Sequence, residues 1–179
     1  MTKFSHKTTV AFALGTLLLS GFAFAPPLIN AAPKQPVNPP CEPLAGTFVF
    51  TLFQFTSATT AIGQGIVYDG GAPVGTFDAN YFNIVVQGKP GHANGLIQMN
   101  ARHTITFADS STLMTQDEIL LEPVKTNPGW LRANSRLYIV GGTGAYAGAT
   151  GLLHTHGAAN VFTVPPEGSI DFDGQVCVP

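Results

Sequence analysis

The chain has 179 residues, 8 Lys+Arg against 10 Asp+Glu, a formal charge of −2, and 10% charged residues against 45% hydrophobic ones. Scattered basic residues in a mildly acidic chain leave no electrostatic footprint for nucleic acid or acidic membrane surfaces. The length suits one domain with a real core.

Lys3, His6 and Lys7 precede an apolar run from Val10 to Ala25. A short basic start followed by such a run reads as a secretory signal over residues 1–25, too short and too early for a membrane span. Cleavage fits after Ala25 or after Ala31, and Cys41 lacks the small apolar residues of a lipoprotein signal before it. Without Lys3 and Lys7, six basic residues face ten acidic ones, a charge of −4. The mature protein is expected to be secreted or periplasmic, with no membrane span.

Residues 26–43 are rich in proline and read as an extended linker. A single domain is expected over 44–179. Cys41 and Cys177 lie at its two ends. An even pair in an exported chain favours a disulfide, and neither cysteine has the CxxC spacing of a redox site.

Within the domain, Ala45–Phe55 is dense in Phe, Val and Thr and predicts a first long strand. Ile62–Asp69 alternates Ile62, Gln64, Ile66 and Tyr68 with Gly63, Gly65 and Val67, the pattern of a strand passing closely by a neighbour. Asp69-Gly70-Gly71 is a turn, Gly75–Val86 a strand, and Gly88-Lys89-Pro90-Gly91 another turn. Gly95–Phe107 alternates clearly, with Ile97, Met99, Ala101, His103, Ile105 and Phe107 on one face. Thr112–Val124 places Leu113, Thr115, Asp117, Ile119 and Leu121 together. Arg136–Val140 predicts a strand, Gly141, Gly142 and Gly144 a sharp corner, and Ala145–Ala149 one helical turn. Leu152–Val164 and Ser169–Val178 complete the set. Seven or eight strands, with no long helical period, predict an all-β antiparallel barrel or sandwich.

Val140-Gly141-Gly142-Thr143-Gly144 after a strand imitates a dinucleotide-binding loop. That loop needs the N-terminus of a long helix behind it, whereas Gly148 and Gly151 interrupt any helix within two turns. The corner is better matched elsewhere. Ser111-Thr112-Leu113, then Ile139-Val140-Gly141-Gly142-Thr143-Gly144, Tyr146 and Ala149-Thr150-Gly151 follow in the order found in dirigent proteins, and Val67-Tyr68-Asp69 is similar to the early strand where those proteins place an aspartate. The chain resembles the allene oxide cyclase-like and dirigent-like barrel superfamily. The resemblance implies an eight-stranded antiparallel barrel of calycin type, a largely apolar cavity and a trimer. It also implies a small hydrophobic ligand, steered without metal or organic cofactor through a cyclisation, an isomerisation or a coupling. Thr150 departs from the pattern by standing where dirigent proteins carry an arginine. By the resemblance Asp69 is a third catalytic candidate, and Met99, Tyr68, Tyr138 and Tyr146 are candidates for the cavity wall.

The candidate chemistry centres on two residues. His103 shares the Ile97/Met99/Ile105 face and is either a proton shuttle inside the barrel or a histidine bonded to a neighbour. Asp117 is an acid candidate if its face is the lumen and a solvated charge if it is not. His154 and His156 share a strand face, but two imidazoles do not make a metal site, and His92 sits in a turn. Asp171 and Asp173 read as outward alternation, and Trp130 as a loop anchor. The expected function is binding of a small hydrophobic molecule with isomerase-type chemistry. The alternative is a non-catalytic secreted carrier or interaction module.

Overall fold

The computed structural model describes residues 40–87 and 95–179. The signal segment, the proline-rich run up to residue 39, the Gly88–Gly91 turn and His92 lie outside the described residues. The eight strands are β1 (Cys41–Phe55), β2 (Ala61–Asp69), β3 (Ala72–Gln87), β4 (Leu96–Phe107), β5 (Thr112–Pro123), β6 (Leu131–Thr143), β7 (Thr150–Asn160) and β8 (Glu167–Cys177). A 3₁₀ turn, Gly144–Tyr146, lies between β6 and β7. Each strand pairs antiparallel with the next, and β8 returns to β1, so the sheet closes into a barrel. This is the eight-stranded barrel that the glycine corner implied.

Alternation sorts the side chains. On β4 and β6, Ile97, Met99, Ala101, Leu131, Ala133 and Leu137 are buried, while Gln98, Arg102, Arg132, Asn134 and Arg136 are exposed. Apolar inside and polar outside is the reverse of a lipid-facing barrel with an aqueous lumen. No helix among the described residues is long and apolar enough to cross a membrane.

Two bulges rephase this alternation. The register between β1 and β2 shifts between Phe50 and Leu52, so Phe48, Phe50 and Phe53 all reach the core. On β3 a shift between Phe82 and Val85, with Asn83 at φ 56°, moves the buried positions from Phe77, Ala79 and Tyr81 to Ile84. The rings need space, and β2 supplies it. Gly63 and Gly65 face inward; a Cβ at Gly65 would run into the Phe77 ring, and one at Gly63 would meet the Tyr81 ring at 2.9 Å. The bulkier Ile62 and Ile66 point the other way and are only half-buried.

The glycine corner differs from the sharp turn expected. β6 continues through Gly141 and Gly142 to Thr143, paired with Thr112–Met114, and a bulge opposite Met114/Thr115 accommodates Val140. The turn comes only at Gly144, whose φ of 59° opens the 3₁₀ turn. Thr112 and Thr143 also share a hydroxyl hydrogen bond of 2.9 Å. The Ser-Thr-Leu and Gly-Gly-Thr-Gly stretches are therefore neighbours in space. Tyr146 then packs on Phe107, with ring centroids 4.9 Å apart, at this end of the barrel.

The seam between β1 and β8 is stapled. Cys41 stands opposite Cys177 in the ladder and the two form a disulfide, with Cα atoms 3.9 Å apart and a sequence separation of 136. β1 thus begins inside the stretch read as linker, because its first residues pair with the end of β8. In the chain-entropy account, opening a loop of this length costs about 5 kcal/mol of stability. Replacing both cysteines, Cys41→Ala with Cys177→Ala, should lower the chemical-denaturation free energy by about 3–5 kcal/mol. A loss under about 1 kcal/mol would show that the β1–β8 ladder holds the seam without the bond.

Candidate active site

His103 and Asp117 project into the barrel from adjacent strands. The β4–β5 register sets Ala101 against Asp117 and His103 against Thr115, which puts the two side chains one step apart on the inner face. His103 is 5% exposed and Asp117 1%. His103 Nδ1 lies 2.5 Å from Asp117 Oδ2, a short hydrogen bond. On the other side of the imidazole, Tyr81 Oη lies 3.3 Å from His103 Nε2. Asp117 Oδ1 has no hydrogen-bond partner among the described residues.

Aromatic rings enclose the imidazole. Phe48 stacks on it at 5.9 Å and 20°, Phe77 lies tilted at 5.9 Å, and Tyr81 meets it edge-on at 5.6 Å. Burial, and then the charge of Asp117, raise the Tyr81 phenol far above its ordinary value, so it keeps its proton. A Tyr81 O–H donated to Nε2 and an Nδ1–H donated to Asp117 Oδ2 is an assignment that fits both contacts. The imidazole is thus held between two buried polar side chains, one at each ring nitrogen.

Tyr81 and His103 face a cavity in the barrel of about 60 Å³. Phe50, Phe53, Leu121, Leu131 and Val161 carry it toward the end of the barrel where β1 passes to β2. Met99 lies in its wall, and Asp117 lies behind His103, outside the lining. Ser135, Thr155 and the Tyr81 and His103 heads bring polarity to an otherwise apolar surface.

The structure separates the remaining candidates from this group. Val67 and Leu137 take the inward positions on β2 and β6, so Tyr68 and Tyr138 point outward instead of into the cavity. Tyr138 Oη reaches Glu118 Oε2 at 3.5 Å on the outer surface. Tyr146 belongs to the packing at the glycine-corner end rather than to the cavity. Asp69 is exposed at the end of β2, beside the Gly70–Gly71 turn. His154 and His156 point outward, and His156 Nδ1 lies 3.6 Å from Asp173 Oδ1 with both side chains about two-thirds exposed. Among the described residues no three His, Cys, Asp or Glu side chains are grouped to hold a metal ion. Tyr81, Ser135 and Thr155 were not among the sequence candidates. Tyr81 had a readable signal, since it stands four residues after Phe77 on one strand face.

Because its native value is raised, Tyr81 contributes stability that is whole below the ordinary phenol value of about 10 and is lost as pH climbs beyond it. An alkaline titration followed by absorbance at 295 nm should therefore show a late phenolate increment that coincides with loss of near-ultraviolet circular dichroism. Tyr81→Phe should remove that increment. If the variant keeps it, the late phenol is another of the four tyrosines.

No family model matches the chain, and no curated protein does. Among solved structures it is similar to a pyocyanin demethylase, at 16% identity and a TM-score of 0.46 over 75% of this chain and 99% of that one. It is also similar to two pterocarpan synthase dirigent proteins. GePTS1 gives 16% identity and a TM-score of 0.44 over 79% of this chain and 87% of that one. PsPTS1 gives 13% and 0.47 over 79% and 97%. The chain's own fold is a closed barrel of eight antiparallel strands.

Proposed function

We propose that this protein is an exported barrel that binds a small, largely apolar molecule in its lumen and moves a proton within it. The observation that carries the reading is the buried Tyr81–His103–Asp117 chain opening onto an apolar cavity. A histidine bonded between two buried partners at the wall of a cavity is poorly explained by packing, since an apolar side chain would fill the same space with no desolvation cost.

In the proposed reaction, His103 Nε2 takes a proton from the bound molecule, exchanging its hydrogen bond with Tyr81 for the new N–H bond. Asp117 Oδ2 accepts the Nδ1–H bond throughout and holds the ring in place. The same proton then returns to a different atom of the molecule as the electron pair relocates, and His103 is neutral again. Atoms and electrons balance within one substrate, so the net change is an isomerisation or ring closure. Asp117 acts through His103 and is a positioning residue. The disulfide adds to the case for an oxidising compartment, secreted or periplasmic.

One observation favours a second reading, a non-catalytic structural or interaction module. The cavity is well below the roughly 300–1,000 Å³ of common ligand pockets, because Phe48, Phe50, Phe53, Phe77 and Phe172 occupy so much of the barrel. A substrate must accordingly be small, or enter by one slim end.

The purified protein, incubated with a small-molecule extract of its source and followed by mass spectrometry, should retain one compound and convert it. His103→Ala and Asp117→Asn should each retain it while slowing conversion by about 10²–10⁴-fold, the usual worth of general acid–base catalysis. Retention without conversion by the wild type would establish the carrier. Conversion that survives both substitutions together would remove the proton-transfer assignment.

A further inference from the structure

The outer wall of a barrel is convex, yet β3–β6 carry a groove of about 600 Å³ on theirs, within the size range of common ligand sites. The groove lies beside the β3 bulge. There Phe82 pairs with Asn100 and Val85 with Gln98, so two residues of β3 stand against Met99 alone. A bulge bends its strand and steepens the local twist, which opens the surface beside it. Asn83, within the bulge, is held at φ 56°, a conformation that costs energy for a residue other than glycine.

The ladder registers order the side chains across the groove. One row runs Val85, Gln98, Leu120 and Asn134, and the next brings Asn100, Glu118 and Arg136 together. In the first row the carboxamides of Gln98 and Asn134 stand two strands apart, about 10 Å, with Leu120 between them. Asn134 and Arg136 are exposed, and their side chains have no hydrogen-bond or ion-pair partner among the described residues. Gln98 accepts from Gln87 through Oε1 and keeps its own N–H groups free. A neighbouring recess shares Asn100 and Glu118 with the groove and continues it to Gln116 and the half-buried Tyr138.

Charge and donor content define the occupant. The described lining holds one carboxylate, Glu118, and one guanidinium, Arg136, which cancel, so neither an anion nor a cation gains net attraction. Carboxamides donate and accept at once, as hydroxyl groups do. Val85 and Leu120 supply apolar surface between them, and the Tyr138 ring supplies a flat one. A ligand with hydroxyl edges, C–H faces and no net charge meets all three conditions. We propose that this outer groove binds a neutral oligosaccharide, with its hydroxyls held by Gln98, Asn134 and Arg136 and one sugar ring laid on Tyr138. The site is separate from the lumen and does not rest on the proton-transfer reading.

The probes are maltotriose, cellotriose, mannotriose and the N-acetylglucosamine trimer, with trigalacturonate and the glucosamine trimer as charged counterparts. Nuclear magnetic resonance of the side chains reports where they bind. At least one neutral trisaccharide should shift the Gln98 and Asn134 carboxamide resonances, leave the His103 ring resonances in place, and bind more tightly than either charged trimer. Asn134→Ala should weaken that binding about 3- to 10-fold, the worth of one net hydrogen bond. Tyr138→Ala should weaken it to a similar degree, while Tyr138→Phe, which keeps the ring, should retain it. Gln54→Ala, on the exposed face of β1, should leave it unchanged. The site is overturned if no neutral trimer shifts the carboxamides, if a charged trimer binds as tightly, or if Asn134→Ala and Tyr138→Ala both bind like the wild type. A sugar that shifts His103 and not the carboxamides enters the lumen, which would support the lumen reading and remove the outer groove.

Discussion

The pairing of β1 with β8 is the constraint on which the rest depends. The seven other pairings join strands adjacent in sequence, each closed by a short connection or hairpin. They form a meander, which left open would expose two edges and have no inside. The pairing of residues 41–48 with 170–177 converts that ribbon into a barrel. It is also the pairing with the greatest loop-closure cost, because it joins the two ends of the domain. The disulfide sits at the outer limit of this seam, where the ladder would fray first. It therefore acts on the contact that defines the lumen, and only through it on the site.

Closure fixes the width of the barrel, and width decides what the inside can hold. An eight-stranded barrel has an interior that side chains just fill or that takes one small ligand. Here the aromatic side is filled. Phe48 packs against Phe77 at 5.0 Å and Phe172 at 4.5 Å, and Phe50 against Phe77 at 5.1 Å. These contacts are possible because β2 presents glycine to them. Across from the rings, β4–β7 carry His103, Thr115, Asp117, Ser135 and Thr155, all buried. The lumen is thus two-sided, a ring-packed wall facing a polar one, with the cavity between.

The strands were legible in the sequence because their alternation is strong, above all on β4, where the inward face read from Ile97 to Phe107 is the buried one. Alternation alone grouped His103 with Ile97, Met99 and Ile105 and Asp117 with Leu113, Ile119 and Leu121, and left open which face is the lumen. It did not predict their meeting, since that depends on the β4–β5 register, which periodicity leaves free by any even number of residues. β2 shows the opposite difficulty. Its larger apolar side chains, Ile62 and Ile66, lie on the outer face, and the inner face is chosen by the rings of other strands. Tyr68 and Tyr138 were drawn toward the cavity by residue type, although their strand neighbours Val67 and Leu137 hold the inward positions. Bulges were also invisible. Phe53 reaches the core only because β1 gains a residue at Thr51.

A barrel that needed only to be stable would have no use for the polar wall. A buried ion-paired or hydrogen-bonded group is at best neutral against a well-packed apolar one, and it becomes strongly destabilising when a partner is missing. On this inner face Thr115 Oγ1, Asp117 Oδ1 and Thr155 Oγ1 have no hydrogen-bond partner among the described residues. Three such atoms within one lumen, beside a short His–Asp hydrogen bond, work against the stability gained from the packed rings. Local conflicts of this kind are where function is found in otherwise consistent folds. The opposite end of the barrel makes the contrast. There Thr112 and Thr143 satisfy each other, Ser111 donates its N–H and O–H to Asp109 Oδ1, and those two bonds hold the exposed Asp109 carboxyl below its ordinary value. Polar groups near the glycine corner are bonded to one another, as structure requires. Those inside the barrel include three oxygens that are not.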